Sequence, residues 1–402
     1  MELILLIVCV FTLLYCMVAK SLSKTIVTAP MLFIAFGVCL ALSGVMADES
    51  AEKALHLVAE IALVVLLFLD ASQINFMRLR ASSSRPARML LIGLPLAVLF
   101  GTAAAYPFLD GWPLPAIALV AAILSPTDAA LGQAVVTNEN VPEEDRRTLT
   151  VESGLNDGLA LPIILLFACM TAGVTQQPGS EDLNWLGFAA MQISLGPLAG
   201  VAVGLIGGKL LDWARGRGWT SETFEGVAAL ALAGTAYLFA AEIGGNGFIA
   251  AFVAGLTFGN IVKTDCHFIY EFTESEGQIL TWGAFFLLGL ALVPEAVEHL
   301  TLETLAIILI SLFIVRPLAI WLSLTGSKTP ALTRLFFGWF GPRGLATALF
   351  ALLVVSEIGM EYAEPVLHIA VNAVWISALL HGLTAVPAAI RYGSRMQPKP
   401  AE

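Results

Sequence analysis

Apolar stretches recur along the whole chain, and each is closed by a short polar break. Each runs for about 17–25 residues, the length a helix needs to cross the hydrocarbon core of a bilayer. Backbone groups in lipid need partners within their own segment, so uninterrupted apolar runs of this length predict helices. The windows predict thirteen spans, over 3–19, 29–46, 54–70, 89–107, 114–135, 149–172, 185–208, 222–241, 246–262, 277–294, 302–324, 332–355 and 364–387. The expected fold class is an all-α polytopic membrane protein. Composition agrees: 58% of residues are hydrophobic and 13% charged, and the mean hydropathy is +0.85. An ordinary soluble domain carries roughly 25% charge.

Charge placement tests the count of spans. Lys20 and Lys24 follow the first span, Arg78, Arg80, Arg85 and Arg88 the third, and Arg146 and Arg147 the fifth. Lys209, Arg215 and Arg217 follow the seventh, Lys263 the ninth, and Lys328 and Arg334 the eleventh; Arg391, Arg395 and Lys399 lie beyond the last. Seventeen of the 20 basic residues thus fall on one side, and only Lys53 on the other. That other side carries Asp48, Glu49, Glu52, Glu181, Asp182, Glu295, Glu298, Glu357, Glu361 and Glu364. By the positive-inside rule the N-terminus is outside and the C-terminus cytoplasmic. The first span has no basic residue before it, so it reads as a retained helix rather than a cleaved leader. Only a short cytoplasmic tail is expected after residue 390.

Cofactor and enzyme chemistry find little support. Cys9, Cys16, Cys39 and Cys169 lie in apolar runs and Cys266 stands alone in a loop, so neither a metal set nor a disulfide framework is expected. Gly208-Lys209 lacks the upstream glycine of a phosphate loop, having Val203 there. Gly200, Gly204 and Gly208 read instead as a close helix-packing face. No His-Glu-x-x-His or Gly-x-Ser-x-Gly occurs, so an intramembrane enzyme is not expected. No cofactor and no nucleic-acid partner is expected either.

The candidate chemistry lies in charges inside the apolar spans, where each costs on the order of 3 kcal/mol. In Ser125-Pro126-Thr127-Asp128, Pro126 cannot donate its backbone bond and pushes its neighbour from helical angles, so the fifth span should break there. Asp128 can then cap the second half. In Glu152-Ser153-Gly154-Leu155-Asn156-Asp157-Gly158, helical spacing places Glu152 above Asn156 and Ser153 above Asp157. These hard oxygen donors suit an alkali cation or a proton. Leu159 to Met170 is too short to span alone, so Asp157 sits well inside. In Gly338-Trp339-Phe340-Gly341-Pro342-Arg343-Gly344, Pro342 should break the twelfth span. Arg343 is always charged and needs an acid: Glu152, Asp128 or Asp70 could serve.

The two broken spans run in opposite directions, as in an inverted repeat whose broken helices bracket a midplane ion site. Asn156 and Asn372 each fall 30 residues after their proline. Asp70, near the end of the third span, and Glu60, deeper in it, are secondary candidates. Arg316, before Pro317, reads as structural, His381 as a satisfied packing residue, and Asn246 as part of a turn.

Together, Thr127-Asp128, the Glu152–Gly158 segment and Gly341-Pro342-Arg343-Gly344 resemble the signature of NhaP-type sodium/proton antiporters of the monovalent cation:proton antiporter family. The resemblance covers nearly the whole chain. It implies that Asp157 binds the ion and the proton, with Asn156 as its partner and Na+ held at Asp157, Asp128, Ser153 and Thr127. It implies a structural pair of Glu152 with Arg343, and gives Asp70 an accessory place, although Leu67-Phe68-Leu69-Asp70 lacks the usual glycine. It further implies a homodimer in the inner membrane. Residues 1–88 and 181–300 would form scaffold and dimerisation helices, 89–180 and 301–390 the moving core, and 391–402 the tail. One titrating acid beside an asparagine predicts electroneutral Na+/H+ exchange serving pH homeostasis. A K+/H+ exchanger on the same scaffold (Li+ being a further substrate) and, less directly, a cation channel are the alternatives.

Overall fold

A computed structural model describes residues 2–22, 25–44, 49–74, 84–175, 185–262, 276–355 and 358–396. Lys24, Asp48, Arg78, Arg80, Glu181, Asp182, Lys263, Cys266, Glu357 and Lys399 lie outside the described residues. The helices are α1 (Glu2–Leu22), α2 (Ala29–Leu42), α3 (Glu49–Ser72), α4 (Arg85–Ala105), α5 (Leu114–Ile123), α6 (Ala129–Val136) and α7 (Glu143–Thr175). There follow α8 (Trp185–Gly216), α9 (Glu222–Glu242), α10 (Gly247–Ile261), α11 (Gly277–Glu298) and α12 (Leu302–Ser323). The last three are α13 (Ala331–Trp339), α14 (Leu345–Val355) and α15 (Met360–Met396). Every predicted span coincides with one of these, and the fifth and twelfth each appear as two half-helices, α5 with α6 and α13 with α14. Among the described residues, seven helices are long and apolar enough to cross a membrane on length and composition alone. No strand occurs among the described residues.

Among the described residues three helices carry a π turn: Met89–Gly93 in α4, Leu288–Leu292 in α11 and Ser311–Val315 in α12. Each is followed within two residues by a proline, Pro95, Pro294 and Pro317. A proline ring crowds the carbonyl four residues before it. Those carbonyls, of Leu91, Leu290 and Phe313, all lie within the π turns, whose wider spacing moves them aside. The pattern of a proline-relieved helix followed by a proline-broken one occurs in α4–α6 and again in α12–α14, which gives the repeat a structural form.

Glycine sets how closely the helices approach. Gly196, Gly200 and Gly204 of α8 lie against the backbone of Asn246, Ala250 and Ala254 at the start of α10 and along it. Gly255 and Gly259 on α10 meet the carbonyls of Phe68 and Ser72 on α3, where a Cβ would overlap backbone. Gly37 of α2 and Gly289 of α11 make a reciprocal close contact. The predicted packing face on α8 is therefore present, shifted one turn earlier: Gly208 has ordinary room against Val262. At the end where the basic residues gather, Arg85 donates to Asp145 Oδ1 at 2.9 Å and Tyr392 Oη to Asp145 Oδ2 at 2.7 Å. Thr333 Oγ1 lies 2.7 Å from Tyr392 Oη. This cluster fastens α4, α7, α13 and α15 into one body.

Backbone contacts cannot yield as a flexible side chain can. Gly255→Val should therefore cost about 1–3 kcal/mol by overpacking, whereas Gly208→Ala should be nearly neutral. Thermal unfolding of the purified protein in detergent checks both.

Candidate functional site

The two interruptions touch. The Asp128 N–H donates to Pro342 O at 2.9 Å. Asp128 caps α6, accepting from Leu131 N at 3.0 Å through Oδ1, and its Oδ2 accepts from Leu345 N, the start of α14, at 2.8 Å. One carboxylate thus serves the N-termini of both half-helices, where the helix dipole favours negative charge. Gly344 makes this possible, since a Cβ there would overlap the Asp128 carboxylate.

The opposite ends are met by one cation and a histidine. Arg343 Nη1 donates to the carbonyls of Ser125, Pro126 and Gly341 at 3.1, 3.2 and 3.3 Å. The Arg343 N–H donates to Ser377 Oγ at 2.7 Å, and Ser377 Oγ lies 3.0 Å from His381 Nδ1. His381 Nε2 is 2.9 Å from Trp339 O. The tautomer with the proton on Nε2 satisfies this chain throughout. His381 is the satisfied packing residue expected, and its work is to close the end of α13.

The expected ion pair is corrected. Glu152 pairs with Arg316, whose Nη1 and Nη2 donate to Oε1 and Oε2 at 3.1 and 3.2 Å. Both side chains are buried, and Gly341 leaves the space that the Arg316 guanidinium occupies. Arg343 instead neutralises carbonyls at the breaks. Around Glu152 lies a compact network: Thr127 Oγ1 donates to Oε2 at 3.2 Å, and Asn156 Nδ2 donates to Thr127 Oγ1 at 2.7 Å and to Glu152 Oε1 at 3.3 Å. Ser153 Oγ is 3.3 Å from Thr127 Oγ1. The Glu152–Asn156 stripe therefore faces protein.

Asp157 faces differently. It lies on a cavity of about 260 Å³ together with Asp70 and Asp128. One wall comes from α2, α3 and α11, with Pro30, Asp70, Gln73, Gln278, Thr281 and Trp282; the other comes from α6, α7 and α14. The cavity opens where α2 and α11 begin and α6 ends, the same end as Lys20, Arg85 and Arg146. Asp157 Oδ1 and Asn156 Oδ1 are buried and have no hydrogen-bond partner among the described residues. Such oxygens are costly without a cation or donor, and the amide and carboxylate offer the hard ligands an alkali ion takes. Gly158 keeps the approach tight, because a Cβ there would overlap the Phe252 ring.

Three of the acids singled out thus meet at one cavity, while Thr127 and Ser153 stand in the network beside it rather than on its lining. Glu60 lies elsewhere, accepting a hydrogen bond from Tyr237. Asn372 does not reach the breaks; its Nδ2 donates to Ala296 O at 2.5 Å. Asn246 caps α10 after a turn at Gly244, as expected. Gln73 lies one turn beyond Asp70, whereas the polar lining from Gln133, Thr137, Gln278 and Thr281 had no signal in sequence, since each residue is ordinary near a helix end.

The family described as sodium/hydrogen exchanger, transmembrane, matches residues 6–391. The chain is 29% identical over 367 residues to the K(+)/H(+) antiporter NhaP2 of Shewanella sp. (strain ANA-3), covering 89% of this chain and 61% of that protein. It is 30% identical over 300 residues to the K(+)/H(+) antiporter NhaP of Alkalimonas amylolytica, covering 74% and 50%. It is 24% identical over 357 residues to the probable Na(+)/H(+) antiporter 2 of Methanocaldococcus jannaschii, covering 85% and 82%. The chain therefore spans 61% of the length of the Shewanella relative. The fold is similar to that of the sodium proton antiporter MjNhaP1 from Methanocaldococcus jannaschii, with a TM-score of 0.79 at 21% identity, covering 98% of this chain and 99% of that one. With broken helices crossing at a carboxylate-lined cavity and a family match from residue 6 to residue 391, this chain belongs to the transmembrane sodium/hydrogen exchanger family.

Proposed function

We propose that the protein exchanges a monovalent cation for protons across the inner membrane, and that both compete for Asp157. The observation that carries this reading is the buried, unpartnered Oδ1 of Asp157 on a cavity shared with Asp70 and Asp128. A single carboxylate that holds either a proton or a metal ion, presented alternately to each side, couples the two fluxes without further chemistry. Asp128, Thr127 and Ser153 complete the ion-binding set at the break, Asn156 adds its amide oxygen, and Asp70 reaches in from the facing wall. Glu152 with Arg316 is scaffold. By the positive-inside rule the cavity opens to the cytoplasm.

Residues 89–180 and 301–390 form the moving core, and 1–88 and 181–300 a scaffold through which two copies pair as a homodimer. Sodium is the primary cation. Potassium is the second reading, favoured by the names of the Shewanella and Alkalimonas relatives. Oxygen ligands accept either ion, so flux measured against Na+, K+ and Li+ gradients separates them.

Asp157→Asn should abolish cation-driven proton movement in everted vesicles; retained exchange would sink the assignment. Wild-type protein in liposomes should run without generating a membrane potential, because one ion replaces one proton. A potential sensitive to the cation gradient would show a different stoichiometry. Glu152→Gln leaves the buried Arg316 unpaired and should destabilise the protein by about 3–5 kcal/mol. Replacing both residues by methionine should recover most of that loss in thermal melts.

A further inference from the structure

The cavity gives Asp157 access from one end, so exchange needs the two walls to part at the other. α11 belongs to the first wall: Gly277, Gln278 and Thr281 line the cavity near its mouth. Its last turn lies about 27 Å further along, at roughly 1.5 Å per residue. α15 belongs to the second body, through His381 and Ser377 at the break and Tyr392 on Asp145.

At the far end these two helices are joined by polar contacts. Asn372, on α15 and almost wholly buried, donates from Nδ2 to Ala296 O on α11 at 2.5 Å. Trp375 Nε1 donates to Asn372 Oδ1 at 2.8 Å and fixes the amide. Beside it the rings of His299 and His368 stack with centroids 4.5 Å apart and planes 16° apart. His368 Nε2 lies 3.7 Å from Glu295 Oε1. Stacked planes send their lone pairs out in parallel, so the cluster does not converge on a metal ion, and no metal-binding group of three occurs among the described residues. Nearer the mouth, by contrast, α2 meets α15 through the Met31 side chain against Gly382, a contact that can slide.

We propose that the Asn372–Ala296 hydrogen bond, with the His299–His368–Glu295 cluster, is the latch that closes the far side and must part in each exchange cycle. It rests on the alternating-access reading above. Apolar packing of Val293 and Ala296 lies at the same junction, and the buried amide and ring stack give it directional contacts that are made or broken as a unit, which a two-state exchanger requires.

The test places Ala296→Cys and Asn372→Cys in a chain cleared of its five cysteines. Cross-linking should lower cation-driven proton flux in liposomes at least tenfold, and a reductant should restore it. Flux within twofold of the reduced form would overturn the latch. If the reduced and wild-type proteins show no exchange, the antiport reading itself fails, and the latch is then judged by labelling. Ala346→Cys, on the cavity wall, should react with an impermeant thiol reagent from the far side at least threefold faster when combined with Asn372→Ala. An unchanged rate would overturn the latch.

Discussion

A helix interrupted within the hydrocarbon region exposes backbone donors at one cut end and acceptors at the other, and no water is at hand to satisfy them. Two such interruptions crossing at one point concentrate four cut ends in a small volume. The rest of the site follows from how they are satisfied. Asp128 answers both sets of donors, while Arg343 and His381 answer the carbonyls. Once those groups are committed, the breaks are held by charge-assisted bonds, and Asp157 beside them is free of a structural duty.

The same constraint explains the glycines of Gly341-Pro342-Arg343-Gly344. Neither is needed for an unusual backbone angle. Gly344 admits the Asp128 carboxylate and Gly341 the Arg316 guanidinium, so each marks a place where a charged side chain from another helix passes close to the chain. The motif is a set of clearances as much as a set of hydrogen-bonding groups.

The breaks were legible because proline acts on its own neighbours: Pro126 and Pro342 conflict with carbonyls four residues away whatever surrounds them. The helices were legible through their length and the sorting of lysine and arginine. The partner of Glu152 was not. Arg316 and Arg343 are both buried cations inside apolar spans, and spacing along the chain does not say which reaches an acid on α7. The π turn at Ser311–Val315 also rotates the face on which Arg316 emerges, a shift hidden from helical periodicity. The cavity wall escaped for a similar reason. Gln73, Gln278 and Thr281 come from helix ends far apart in sequence, and only tertiary packing brings their helices together.

Asn156 has both hydrogen-bonding faces of its amide assigned by its surroundings. The nitrogen is taken up by the Thr127 hydroxyl and the Glu152 carboxylate, so the oxygen alone points away from them. The side chain is therefore an oriented dipole, with its polarity set from behind by Thr127 and Glu152. An aspartate at this position would be more than an added charge. It would lose both donors and set a second anion against Glu152, loosening the pairing that aligns Thr127. In this protein the neutral member of the Asn-Asp pair is a mechanical part of the Thr127–Glu152 network behind the cavity, and conversion to a twin-carboxylate site would require rebuilding the Glu152–Arg316 pair as well.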